Sequence, residues 1–147
     1  VDYVRLMPAV IGVVLQGAGP HFCIGANPYA SNGSASMTKA DFVLHLRQLY
    51  VGFLQLRTLA YSVTCAVHGT LVGGAFAASL HADFLAAEHT SIFEHGNLIR
   101  GVCVLGMLSQ TFASLLGAHA QHVYLQNAQL NAAAAHALGL VQQLKAS

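Results

Sequence analysis

Two short runs carry the chemistry this sequence can offer. His21-Phe22-Cys23-Ile24-Gly25-Ala26-Asn27 and Val72-Gly73-Gly74-Ala75-Phe76 each follow an apolar, strand-like stretch. Each places small residues where a backbone must turn tightly and expose its N–H groups. Two such turns held side by side can bind a developing oxyanion with two main-chain donors. That chemistry asks almost nothing of side chains. It suits a chain in which 55% of residues are hydrophobic and only 7% are charged.

The rest of the composition narrows the field. The 147 residues form one expected domain, 1–147. Charged residues usually approach a quarter of a soluble domain. So bare a surface is expected to be covered in part, by identical subunits or by further parts of a longer chain. The net charge is +1, from six Lys and Arg against five Asp and Glu. No basic stripe exists, so nucleic acid is not an expected partner. No apolar run reaches the roughly 18–20 residues of a membrane span. The opening Val1-Asp2-Tyr3-Val4-Arg5-Leu6 does not read as a signal peptide. The expectation is a cytoplasmic protein whose sequence here is cut from something longer. Cys23, Cys65 and Cys103 are odd in number and widely spaced. They read as reduced thiols rather than a disulfide framework or a metal cluster.

The elements that must position the two turns follow from periodicity. Ala9 to Leu15 is a continuous apolar run closed by Gly17, the pattern of a buried strand. A loop rich in Gly, Pro, Ser and Asn runs from about Gly19 to Met37. Thr38 is placed to cap a helix with Asp41 in its first turn. Phe42, Leu46, Leu49, Phe53, Leu56 and Leu59 recur at helical spacing behind it. Ser62–Val67 reads as a second strand, Gly69–Gly74 as a turn and Ala75–Leu80 as a short helix. Asp83–Ala87 and Ser91–Phe93 read as strands. Helices are expected over Met107–Leu116, about Ala120–Leu125 and Ala132–Leu138, the last capped by Asn131. A strand at Val141–Leu144 closes the chain. Strands alternating with helices imply an α/β fold with a parallel sheet.

The two turns, about 48 residues apart, resemble those of the enoyl-CoA hydratase/isomerase (crotonase) superfamily. Its F-C-x-G-A-D run is similar to Phe22-Cys23-Ile24-Gly25-Ala26-Asn27. Its A-V-N-G-x-x-x-G-G-G run is similar to Ala66-Val67-His68-Gly69 through Gly73-Gly74-Ala75. Asp83–Ala87 resembles its C-D-I-x-x-A strand. Ser91-Ile92-Phe93 and Gly101 resemble A-x-F and the glycine of L-G-x-x-P. Leu125–Ala128 through Ala137–Val141 resembles its T-G…G-L-V segment. The implied fold is the crotonase-like ββα spiral, a parallel sheet with flanking helices. The family's N-terminal strands and C-terminal helical region are expected to be missing.

The resemblance implies that the amides of Ala26 and Gly74 hold a thioester oxygen, with the helix after Gly74 adding its N-terminal end. It implies a substrate, acyl-CoA or a phosphopantetheine-tethered acyl group on an acyl carrier protein, rather than a tightly bound cofactor. Cys23, Ile24, Gly25, Ala26 and Gly73 are the implied cofactor-binding backbone. The departures from the pattern bear on the reaction. The family's two glutamate positions hold Ala77 and Asn97, its aspartate is Asn27, its last triplet glycine is Ala75 and its turn proline is Val104. Neither Ala77 nor Asn97 moves a proton as a carboxylate would. Decarboxylation or isomerisation is therefore expected over simple hydration, in the manner of the family's decarboxylases (whose G-G-A-F-E run is similar to Gly73–Ala77) and of its polyketide β-branching enzymes.

The implied side chains are Lys39 near the leaving carboxylate, His95 as a proton donor, Asn97 in the pocket segment, and Tyr50 on the flanking helix. Each has a packing or solvated alternative. His45 reads as packing, His68 as support for its turn, Glu94 as a reserve acid/base and Cys23 as a non-nucleophile. The few cations leave little to clamp the phosphates of free CoA. A trimer or dimer of trimers, or membership of a longer multidomain chain, is expected. Two other readings stay open: a noncatalytic crotonase-fold scaffold, and a hydratase with an unrecognised acid/base.

Overall fold

The computed structural model describes residues 1–25, 38–101 and 107–146. The strands are divided between two sheets. After a short helix α1 (Asp2–Arg5), the strands are β1 (Gly12–Gln16), β2 (Ser62–Val67), β3 (Thr70–Val72), β4 (Phe84–Glu88), β5 (Ile92–Glu94), β6 (Gln129–Asn131) and β7 (Gln143–Lys145). One sheet has the order β1-β2-β4-β7 and is parallel throughout. The other has the order β3-β5-β6, with β3 and β5 parallel and β5 and β6 antiparallel. Helices α2 (Lys39–Leu54), α3 (Gly74–Ser79), α4 (Leu108–Leu116), α5 (His119–Leu125) and α6 (Ala132–Ala137) complete the fold. The β2-β3-α3 unit is one turn of a ββα spiral.

Most elements form where periodicity places them, and β2 has the expected bounds. The differences have local causes. The run expected to be a turn at Gly69–Gly74 contains β3, a strand of three residues. The last strand is β7 rather than Val141–Leu144. β6 and α1 carry no periodicity signal because each is only three or four residues long. Caps behave as composition suggests. The Thr38 hydroxyl accepts from the Asp41 amide at 3.2 Å, and the Asn131 Oδ1 accepts from the Ala134 amide at 2.8 Å.

The core lies between the sheets and α3–α6. Phe76 is its centre, 1% exposed, with edge-on rings of Phe93 and Phe112 at 6.3 and 5.9 Å. The outer face is less well covered. Ile11 is 98% exposed and Val14 64%. Along α2 only Tyr50 is buried, and the expected apolar stripe leaves Phe42 and Leu49 exposed, because only the end of the helix lies against α3. Among the described residues, no helix is long and apolar enough to cross a membrane.

A backbone crossing joins the two turns. The Phe22 amide donates to the His68 carbonyl, the Cys23 amide to Thr70 and the Val72 amide to Cys23, at 2.9–3.1 Å. Cys23 thereby forms a parallel bridge with Leu71. The crossing is so close that a Cβ on Gly69, itself at φ +57°, would sit 2.3 Å from the Pro20 carbonyl oxygen. That contact is with backbone, which cannot give way, and the His21 ring nitrogen lies at 2.7 Å as well. We therefore expect Gly69→Ala to destabilise the chain by about 3 kcal/mol or more in urea denaturation. A loss below about 1 kcal/mol would mean that the crossing is looser than drawn.

Candidate active site

The second turn is built by β3, α3 and β5. β3 ends at Val72, and Gly73 turns the chain at φ +70°, ψ −129°. Its amide donates to the Glu94 carbonyl at 3.0 Å, and its carbonyl accepts from Ala77 at 3.1 Å. Gly73 is thus held from both sides by its own backbone. Gly74 is the first residue of α3, so its amide has no partner within the helix. Gly74 as a residue is half-buried. α3 has only six residues, so the donor here is the individual amide rather than a long helix dipole.

The first turn enters beside it. Cys23 spends both its amide and its carbonyl on β3. The strand bridge thus engages backbone groups that the resemblance assigned to cofactor binding. Ile24 and Gly25 follow it, with Ile24 68% exposed and the Cβ position of Gly25 facing Val72 at 3.7 Å. Ala26 and Asn27 lie outside the described residues, as does Val104.

Two groups flank the glycine pair. On one side, Asn97 Oδ1 is 3.6 Å from the Cβ position of Gly73, with the His95 carbonyl oxygen at 3.9 Å. On the other, Phe53 Cε2 and Cζ are 3.5 and 3.6 Å from the Cβ position of Gly74. Phe53 meets Tyr50 edge-on, with centroids 5.4 Å apart at 75°. Tyr50, 8% exposed, is the buried neighbour of Phe53. Phe53 was read from sequence only as part of an apolar stripe. Its position one turn after Tyr50 was visible, but its contact with Gly74 was not.

The remaining candidates separate. His95 is 3% exposed, within 5.3 Å of the Tyr124 ring centroid and 6.3–6.4 Å of those of Phe76 and Phe112. Its Nε2 lies 3.5 Å from Asn97 Nδ2, and its Nδ1 has no hydrogen-bond partner among the described residues. Burial lowers its pKa below the usual 6.5, so the ring is neutral at neutral pH. A neutral ring in an aromatic cage is poorly suited to deliver protons, and Asn97 stands between it and the turn. Lys39 opens α2, fourteen residues before Phe53. That is roughly 21 Å along the helix axis, so α2 does not bring it to Gly74. His45 is exposed. His68 Nε2 pairs with the Gly19 carbonyl at 2.8 Å, supporting its turn. The Glu94 carboxylate accepts from Asn127 and Gln129 at 3.3 and 3.4 Å, a structural tie to β6 and its approach. Burial pushes the Cys65 thiol up to about 11, leaving it inert.

Ala77, on the first turns of α3, is 1% exposed in the core. No carboxylate therefore replaces it from within the helix. Hollows of about 460 Å³ beside Tyr3–Val10 and about 360 Å³ between Arg57 and Ser114 lie elsewhere, and neither is lined by the glycine pair.

The profile of the enoyl-CoA hydratase/isomerase family matches residues 2–147. The chain belongs to that family. Among solved structures, it is similar to DspI of Pseudomonas aeruginosa at 25% identity and a TM-score of 0.89, covering 99% of this chain and 55% of that one. It is similar to an enoyl-CoA hydratase of Polaromonas sp. JS666 at 25% identity and a TM-score of 0.88, over 99% and 57%. A Thermobifida fusca YX protein, solved in complex with acetoacetyl-CoA, matches at 25% identity and a TM-score of 0.82, over 97% and 59%. The chain thus spans somewhat more than half the length of these relatives. No curated protein sequence matches it significantly.

Within this crotonase core, the glycine pair separates structural from functional demand. Gly73 has a positive φ that strains any side chain, whereas Gly74 has none and offers a methyl ordinary contact. We expect Gly73→Ala to cost about 1–3 kcal/mol and Gly74→Ala to be neutral or stabilising by up to about 1 kcal/mol. Thermal and urea melts of the two variants check this, and equal losses would remove the distinction. The His95 pKa also predicts a pH dependence. The unfolded ring takes up its proton at about 6.5 and the folded one only at lower pH. The folded state is therefore fully stable in this respect above 6.5 and loses stability as pH falls through the window below it. Urea midpoints from pH 7.5 to 5 should fall in the native chain, and less steeply in His95→Gln.

Proposed function

We propose that this crotonase core acts on an acyl thioester through an enolate whose oxygen is held by main-chain amides, one of them at Gly74. The observation that supports the reading is the Gly74 amide, which has no partner within its helix and lies two residues beyond the strand that the Cys23 bridge joins to the first turn. Ala26, next in that run, is proposed as the second donor. The acetoacetyl-CoA bound by the Thermobifida fusca relative supports a thioester as ligand here.

The reaction proposed is loss of CO2 from a malonyl- or glutaconyl-type acyl group, or migration of its double bond, rather than hydration. In decarboxylation the C–C bond electrons pass into the enolate, CO2 leaves, and solvent returns a proton to carbon. The two amides stabilise the charge that develops on oxygen. Decarboxylation needs no general base, in keeping with Ala77 and Asn97 at the family's glutamate positions, whereas double-bond migration would need one to take up the C–H proton. Asn97 faces the turn as the proposed polar contact to the acyl group, and His95 positions it. The scarcity of cations supports a carrier-tethered thioester, as in polyketide assembly, alongside acyl-CoA. The exposed Ile11 and Leu6, at 98% and 81%, support burial of that face in a homo-oligomer or a longer chain.

The test replaces the Gly74 N–H with a proline ring carbon. Proline is favoured at the first position of a helix, where its missing N–H has no helical partner. Gly74→Pro should therefore retain the helix and lower turnover of malonyl-CoA, followed as CO2 release, by roughly 10²–10³-fold. Gly74→Ala, which keeps the amide, distinguishes loss of the donor from steric change. Binding of acyl-CoA without CO2 release or double-bond migration would instead favour a noncatalytic scaffold.

A further inference from the structure

Resting on the thioester reading above, we propose that Phe53 determines substrate specificity, by limiting the acyl group to a single substituent on its α-carbon. The argument begins from the space beside Gly74. A methyl placed on that glycine would already touch Phe53, at 3.5 Å from Cε2 and 3.6 Å from Cζ. The gap between ring and backbone is therefore about one carbon deep. An acyl oxygen bound to the Gly74 amide lies about 2.9 Å from its nitrogen. The α-carbon, two bonds further, lies within roughly 5 Å of the same nitrogen. Ring and amide thus flank the same part of the acyl group. An unbranched chain can run past the ring, while a second α-substituent projects into it.

The ring cannot easily swing aside. Tyr50 is buried one helical turn earlier and meets Phe53 edge-on at 75°, with centroids 5.4 Å apart. α2 itself is anchored against α3, which carries Gly74. The wall and the donor therefore belong to two packed elements and hold their spacing. The class of substrate selected is the malonyl type, with one α-substituent, over the methylmalonyl type, with two.

A pair of isomers tests this without changing atom count. n-Butyryl-CoA carries one carbon substituent at the α-carbon, and isobutyryl-CoA carries two. With the full 147-residue chain, calorimetric titration should find n-butyryl-CoA bound roughly tenfold more tightly. Phe53→Ala should bring the two within about threefold, and Phe53→Leu, the gentler change to packing, should fall between. Circular dichroism and melting confirm that each variant is folded. Equal affinities in the native chain, or an unchanged ratio in both variants, would overturn the role of Phe53 while leaving thioester binding in place. If neither thioester binds the native chain at millimolar concentration, the thioester reading itself fails, and this inference with it.

Discussion

The candidate site depends on a single stretch of shared backbone. Cys23 places its amide on Thr70 and its carbonyl under the Val72 amide, and so docks the first turn alongside the second. Without that bridge, Gly73 and Gly74 would end an ordinary strand. With it, the Cβ position of Gly25 comes within 3.7 Å of Val72, the residue before the glycine pair. The close approach at Gly69 and the His68–Gly19 contact hold the same crossing from below. Hydrogen bonds between buried backbone groups are costly to leave unmade, so the crossing is stiff and the amide stays where the fold puts it.

A site made of main chain can tolerate a chargeless surrounding. Ala77 sits in the core and Asn97 faces the turn, where carboxylates would make proton transfer the natural chemistry. What the proposed reaction would then rely on is electrostatic stabilisation of an anion by fixed dipoles, whose worth rises as water is excluded. The aromatic residues contribute by exclusion. Phe76, Phe112 and Tyr124 enclose His95 and keep it neutral, and Phe53 closes the opposite flank.

The same frugality explains the surface. α2 exposes Phe42, Val43, Leu44, Leu49 and Val51, while its Tyr50–Phe53 end reaches the site. One helix thus has a functional end and an uncovered apolar body. Apolar area of that extent normally meets another surface, which accords with a chain spanning little more than half the length of its structural relatives.

Much of this was legible in residue order. Alternating apolar runs and helical spacing located β2, α2, α4 and α6, Thr38 and Asn131 marked the starts of α2 and α6, and the small residues at Gly25 and Gly73–Gly74 marked both turns. These signals are local, because strand and helix periods act over neighbouring residues. The elements that escaped, β3, β6 and α1, are too short to show a period. Only the tertiary structure decided the assembly of the site. It set Phe53 against Gly74, spent the Cys23 backbone on a strand, buried His95 behind Asn97 and left Lys39 at the far end of α2. These outcomes depend on packing between residues distant in sequence. No local pattern encodes which side chain will face which amide once two sheets and a helix have closed together.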